Sequence, residues 1–169
     1  LVYSGPVAAW AYALVGECRY AAVVLVGPSH FVGFEGVSIW PRGEWQTPLG
    51  AVAVADRLAA AIAAESAAIV EFPKAHGREH SLEMQLPFVA RLLPGVPIVP
   101  LVMGYQTRET AMTLGEALGR VLASPRAPAP SHRAMRVMRG AATLASFVAG
   151  GAAARTAPQW MRLLRGPGP

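Results

Sequence analysis

Short apolar runs alternating with segments of helical spacing predict an α/β fold, with a mainly parallel or mixed sheet covered by helices on both faces. Three observations carry this reading. Residues 20–26, Tyr-Ala-Ala-Val-Val-Leu-Val, form a continuous apolar, β-branched run. Residues 96–103, Val-Pro-Ile-Val-Pro-Leu-Val-Met, form another. Between and after them lie Ala- and Leu-rich stretches long enough for helices. In such sheets ligands bind beyond the C-terminal ends of the strands, so the loops there are where chemistry is sought.

The elements follow in order. Ser4 and Pro6 suit a helix start, and the spacing predicts a helix over 5–15, ended by Gly16. Its Trp10 and Tyr12 read as packing residues. The run 20–26 predicts a strand buried on both faces and stopped by Gly27-Pro28. Residues 36–40 are a weaker strand candidate, 45–50 a loop around Thr47-Pro48, and 52–65 an Ala-rich helix. Residues 68–72 predict a strand ended by Pro73, and 74–79 a polar loop. A helix is expected over 81–93, with Pro87 kinking it or cutting it short. The two prolines in 96–103 argue for a sheet edge or a bulge. Thr107 is a plausible N-cap for a helix reaching Ala123.

The length of 169 residues suits one domain with a real core rather than two. At 53% apolar and 15% charged, the chain as a whole is not disordered. No apolar run reaches the roughly 18 residues a membrane span needs. With one cysteine, Cys18, there is no internal disulfide and no Cys-rich zinc site. No basic leader is visible, and a cytoplasmic setting is expected. The net charge of +5 is unevenly placed. Residues 1–116 carry 7 Lys or Arg against 10 Asp or Glu, whereas residues 117–169 carry 8 Arg and no acidic residue. Nucleic-acid binding would therefore rest on the tail alone, which has few aromatics, and is not expected. The organisation read from this is an α/β domain over 1–124 and an Arg/Ala/Pro/Gly-rich tail over 125–169. The tail's bias resembles GC-rich DNA translated in a shifted frame; a natural low-complexity extension is the alternative.

Two clusters could carry chemistry. Gly27-Pro28-Ser29-His30 delivers an imidazole to the end of a buried strand, where it could ligate a metal or move a proton. The bland alternative is a loop histidine bonded to backbone. His76, Glu79, His80 and Glu83 form the second cluster. If the helix has begun by His80, then His80 and Glu83 share one face, as do Glu79 and Glu83. That suits metal binding or acid–base work. Acidic residues favoured by a helix N-terminus and a capping His80 explain the same pattern without function. Ser4, Ser29 and Thr47 lie outside any Gly-x-Ser-x-Gly elbow, and no Walker or dinucleotide fingerprint occurs.

Several segments together resemble the Memo family, also called AmmeMemoRadiSam system protein B. They are Tyr3-Ser4-Gly5-Pro6-Val7-Ala8-Ala9, Val24-Leu25-Val26-Gly27-Pro28-Ser29-His30 and Thr47-Pro48-Leu49-Gly50. Two more are Glu79-His80-Ser81-Leu82-Glu83-Met84-Gln85-Leu86-Pro87-Phe88 and Ile98-Val99-Pro100-Leu101-Val102-Met103-Gly104. The resemblance covers residues 1–124. It implies a class III extradiol dioxygenase-like domain with a His-lined pocket able to take iron or copper. It implies His30 as a metal ligand and His80 and Glu83 as catalytic pocket residues. The family's Pro-His-Ala-Gly motif, its Ser-Asp-x-x-His motif and its pocket Cys have no counterpart here. Ser131-His132 lacks the Asp, and Cys18 lies in the wrong connection. The expectation is a metal-dependent redox or dioxygenase-like family member, this chain being an inactive fragment that holds no metal tightly. The alternative is a non-catalytic module whose pocket binds a small molecule or a peptide.

Overall fold

The computed structural model describes residues 5–15 and 20–124. Ser4, Cys18 and the tail from 125 onward lie outside them, so what the sequence suggests for those residues has no structural counterpart here. The described chain runs α1 (Gly5–Ala13), β1 (Val23–Pro28), β2 (Val37–Ile39), β3 (Glu44–Thr47), β4 (Gly50–Ala53), α2 (Asp56–Ala64) and β5 (Ile69–Val70). It continues with α3 (Leu86–Leu92), β6 (Ile98–Met103) and α4 (Arg108–Ala123). A mixed α/β architecture results. Four strands form one sheet in the order β1-β6-β2-β5, and β3-β4 is a separate hairpin. β1 runs parallel to β6, and β2 antiparallel to it.

Strand β6 shows why the sheet carries helices on both faces. Successive side chains of a strand point to opposite sides. Val99 and Leu101 pack into one apolar cluster with Leu58 and Ile62 of α2 and Leu114 and Val121 of α4. Ile98 and Val102 pack into the other with Leu25 of β1 and Leu86 and Val89 of α3. Helix α1 lies against α3, where Tyr12 stacks on Phe88 at 4.8 Å and its hydroxyl donates to Gln85. Thr107 caps α4 by accepting from the Thr110 N–H. Among the described residues, no helix is long and apolar enough to cross a membrane.

Several expectations need correction. β6 is not an edge strand: it lies between β1 and β2. Pro100 is tolerated because the β2 ladder stops at Ile39, and beyond it the Pro100 carbonyl accepts from Trp40 N–H at 3.0 Å. The missing N–H thus falls where the ladder ends. β1 extends through Gly27 and Pro28 instead of stopping before them, its register with β6 held to Met103. Among the described residues it is one of the two outer strands of its sheet, and Val23, Val24 and Val26 are only half-buried rather than buried on both faces. The segment 45–50 is mostly hairpin, turned at Pro48-Leu49, with Thr47 Oγ1 donating to the Gly50 carbonyl. Residues 52–55 are consequently not helical: Val52 and Val54 are buried and Ala53 exposed, a strand alternation, and α2 starts at Asp56. The strand over 68–72 shrinks to Ile69–Val70. The expected helix over 81–93 opens as a 3-10 turn over Glu83–Gln85, and regular helix begins at Leu86, which puts Pro87 in its first turn. Proline is tolerated there because the first N–H groups of a helix have no partner within it. Tyr12 packs as expected, but Trp10 is 81% exposed.

Candidate metal centre

Strand β1 ends at Pro28, and Ser29–His30 continue from its C-terminal end. Ser29 is spent on local structure: its Oγ donates to the Val32 carbonyl and accepts the Val32 N–H. That turn leaves the His30 ring half out in solvent. The second segment, Glu79–Ser81, precedes α3 and lies directly against this end. Gly27 makes the approach possible. A Cβ there would sit 2.5 Å from Ser81 Oγ and 2.9 Å from a methyl of Leu82. With glycine in place, Ser81 Oγ donates to the Pro28 carbonyl at 3.0 Å and ties the two segments together.

The result brings His30 and His80 side by side, ring centroids 5.3 Å apart and planes at 28°. Glu79 lies beneath them with its side chain only 2% exposed. One ligand atom from each of His30, Glu79 and His80 falls within 4.8 Å of the others. Glu79 Oε1 contacts His30 Nδ1 at 2.8 Å and accepts the backbone N–H groups of His80 at 2.9 Å and Ser81 at 2.8 Å. Its Oε2 accepts the His30 backbone N–H at 2.5 Å. Burial alone would raise the Glu79 pKa, but these donors outweigh it and hold the carboxyl down at about 2. Phe31 stands beside the pair, 6.0 Å from the His80 ring, with the Arg78 guanidinium 5.3 Å from its own centroid.

Not every residue singled out from the sequence arrives here. His30 and His80 do. Glu83 is exposed in the 3-10 turn and stands outside the cluster. The helix-face argument for it does not apply because His80 precedes the helix: isolated turns join Met84 N–H to the His80 carbonyl and Gln85 N–H to the Leu82 carbonyl, but regular helix begins only at Leu86. His76 is buried elsewhere, against Ser38, Trp40 and Trp45. Thr47 serves its turn. Glu79, read from the sequence as a member of the second cluster sharing a helix face with Glu83 or as an acid favoured by a helix N-terminus, accepts N–H groups from both segments of the site. The available signal was local: an acidic residue just before a helical turn can accept the next N–H groups along the chain.

Comparison with known proteins gives the family of the chain. The family model described as "Memo-like protein" matches residues 1–129. The chain belongs to the Memo-like family. A MEMO1 family protein of Caldivirga maquilingensis is 42% identical over 122 residues, which is 72% of this chain and 43% of the relative. One from Saccharolobus islandicus is 42% identical over 123 residues, and one from Thermotoga petrophila 41% over 123. The chain thus spans less than half the length of these Memo relatives. Every described element, and both segments of the His30–Glu79–His80 cluster, fall inside the stretch matched to the Memo-like family.

Proposed function

We propose that this Memo-family chain carries part of a centre for a redox-active metal, iron or copper, with His30 and His80 as its imidazole donors. The observation that supports it is the pair of solvent-reachable imidazoles stacked over one buried carboxylate. Two nitrogen donors beside a carboxylate suit iron or copper, and neutral imidazole suits both. When bound, such a metal would supply redox and Lewis-acid chemistry of the dioxygenase-like class, with positions open to a substrate. The chain's own residues hold the imidazoles in place, keep a fixed negative charge beneath them, and set Phe31 and Arg78 at the rim.

Two imidazoles fall short of the about three protein ligands a catalytic site uses. Glu79 does not make up the difference, since its oxygens already accept three backbone N–H groups and contact His30 Nδ1. Weak binding is therefore the expected behaviour of this chain. The experiment is calorimetric titration with iron(II), copper(II) and zinc, on the wild type and on His30→Ala and His80→Ala. The expected result is an affinity weaker than about micromolar, lowered further in both variants. No binding at millimolar metal, or binding untouched by either substitution, would remove the metal reading. The second reading, a non-catalytic pocket for a small molecule or peptide, would then gain from the exposed Phe31 and Arg78 beside the imidazoles.

A further inference from the structure

We propose that Glu79 is the positioning residue of this site: it holds His30 in the tautomer protonated at Nδ1, so that Nε2 is the atom His30 presents. The proposal rests on reading His30 as a working imidazole, but its first test needs no metal. Both Glu79 oxygens already act as acceptors, Oε1 toward the backbone N–H groups of His80 and Ser81 and Oε2 toward that of His30, which leaves Oε1 an acceptor toward the ring as well. The 2.8 Å contact between Glu79 Oε1 and His30 Nδ1 therefore requires the proton on the imidazole nitrogen. A neutral imidazole with Nδ1 protonated has its lone pair at Nε2. The same carboxylate also takes the His30 backbone N–H, which fixes the residue at both ends of its side chain. Through the backbone N–H of His80 it anchors the second imidazole as well. One buried group thus sets the position of both rings and the tautomer of one. A carboxylate or carbonyl bonded to the far nitrogen is how proteins orient a ligating histidine.

A purely structural role would be a staple between the β1 end and the 79–81 loop. The loop already has one in the Ser81 Oγ bond to the Pro28 carbonyl, and that bond does nothing to the imidazole. The tautomer separates the two roles. The experiment is a long-range proton–nitrogen NMR spectrum of the full chain near pH 8, with the His30 signals assigned by their loss in His30→Ala. In the wild type, His30 is expected to show a protonated Nδ1 and a bare Nε2. In Glu79→Ala, with the rest of the amide spectrum retained, the Nε2-protonated form should become the major one. A second arm adds zinc, which should shift His30 Nε2 rather than Nδ1. A wild-type His30 protonated at Nε2 overturns the proposal whether or not Glu79→Ala folds. So does an unchanged tautomer in a folded Glu79→Ala. Failure of metal to bind, with the tautomer as stated, would sink the metal reading and leave the positioning role standing.

Discussion

Oγ of Ser38 lies 2.9 Å from Nε2 of His76 and donates its own hydrogen to the Phe72 carbonyl at 3.0 Å. A hydroxyl has one hydrogen, so the bond to His76 runs from Nε2–H to Oγ. Among the described residues, Nδ1 is left as a buried lone pair without a partner. Burial holds the His76 pKa down at about 4, against the ordinary 6.5, although a hydrogen bond at Ser38 and the charge of Glu79 pull it upward.

This gives a pH dependence with a definite sign. The unfolded chain protonates His76 near its ordinary value, whereas the folded chain does so only near 4. Between those values the unfolded state binds more protons, so stability rises with pH there. The contribution is complete above about 6.5, declines as pH falls toward 4, and amounts to about 3 kcal/mol. Urea midpoints at pH 7.5 and 4.5 test it. The wild type should lose about 2 kcal/mol more than His76→Gln over that range. Equal losses in the two proteins would contradict the assignment.

Gly27 is expected to be intolerant of any side chain. Its Cβ would meet Ser81 and Leu82 at 2.5 and 2.9 Å, and the 79–81 loop would have to move away from β1. Overpacking of this kind costs about 1–3 kcal/mol. Gly27→Ala should lower the urea midpoint accordingly. It should also shift the amide resonances of His30, His80 and Ser81 more than those of α4. A variant as stable as the wild type, with the loop signals unmoved, would show that the close approach is not needed.

The outer face of α1 should govern solubility. Val7, Trp10 and Leu14 are spaced for one face of the helix and are 63%, 81% and 77% exposed. Apolar groups gathered this way favour association. Light scattering of the double variant Trp10→Gln/Leu14→Gln should show less aggregate than the wild type at equal concentration, with the melting temperature unchanged. Equal scattering would place the association surface elsewhere.

The alternation of apolar runs with helical spacing determined the α/β class, because burial of both sheet faces demands continuous apolar strands and one-sided helices. The Thr107 cap was equally readable, since an N-cap bond joins residues only three apart in the chain. The apolar run 20–26 followed by Gly27-Pro28-Ser29 puts His30 at a strand end, and the motif-level likeness to the Memo family agrees with the family match over residues 1–129. What tertiary structure decided is of another kind. The central position of β6 depends on pairings with β1 and β2, and no periodicity within residues 96–103 encodes its neighbours. Val52 and Val54 lie in extended chain although the Ala around them favours helix, because Val alternating with Ala also fits a strand with one buried face, and packing selects it. Glu79 took its role, and Glu83 was left outside, through contacts that join residues 49 positions apart. Hydrogen bonds across such a separation form only once β1 and the loop before α3 have packed together. Local spacing could name the residues around the site, but only the fold could say which carboxylate lies beneath the imidazoles.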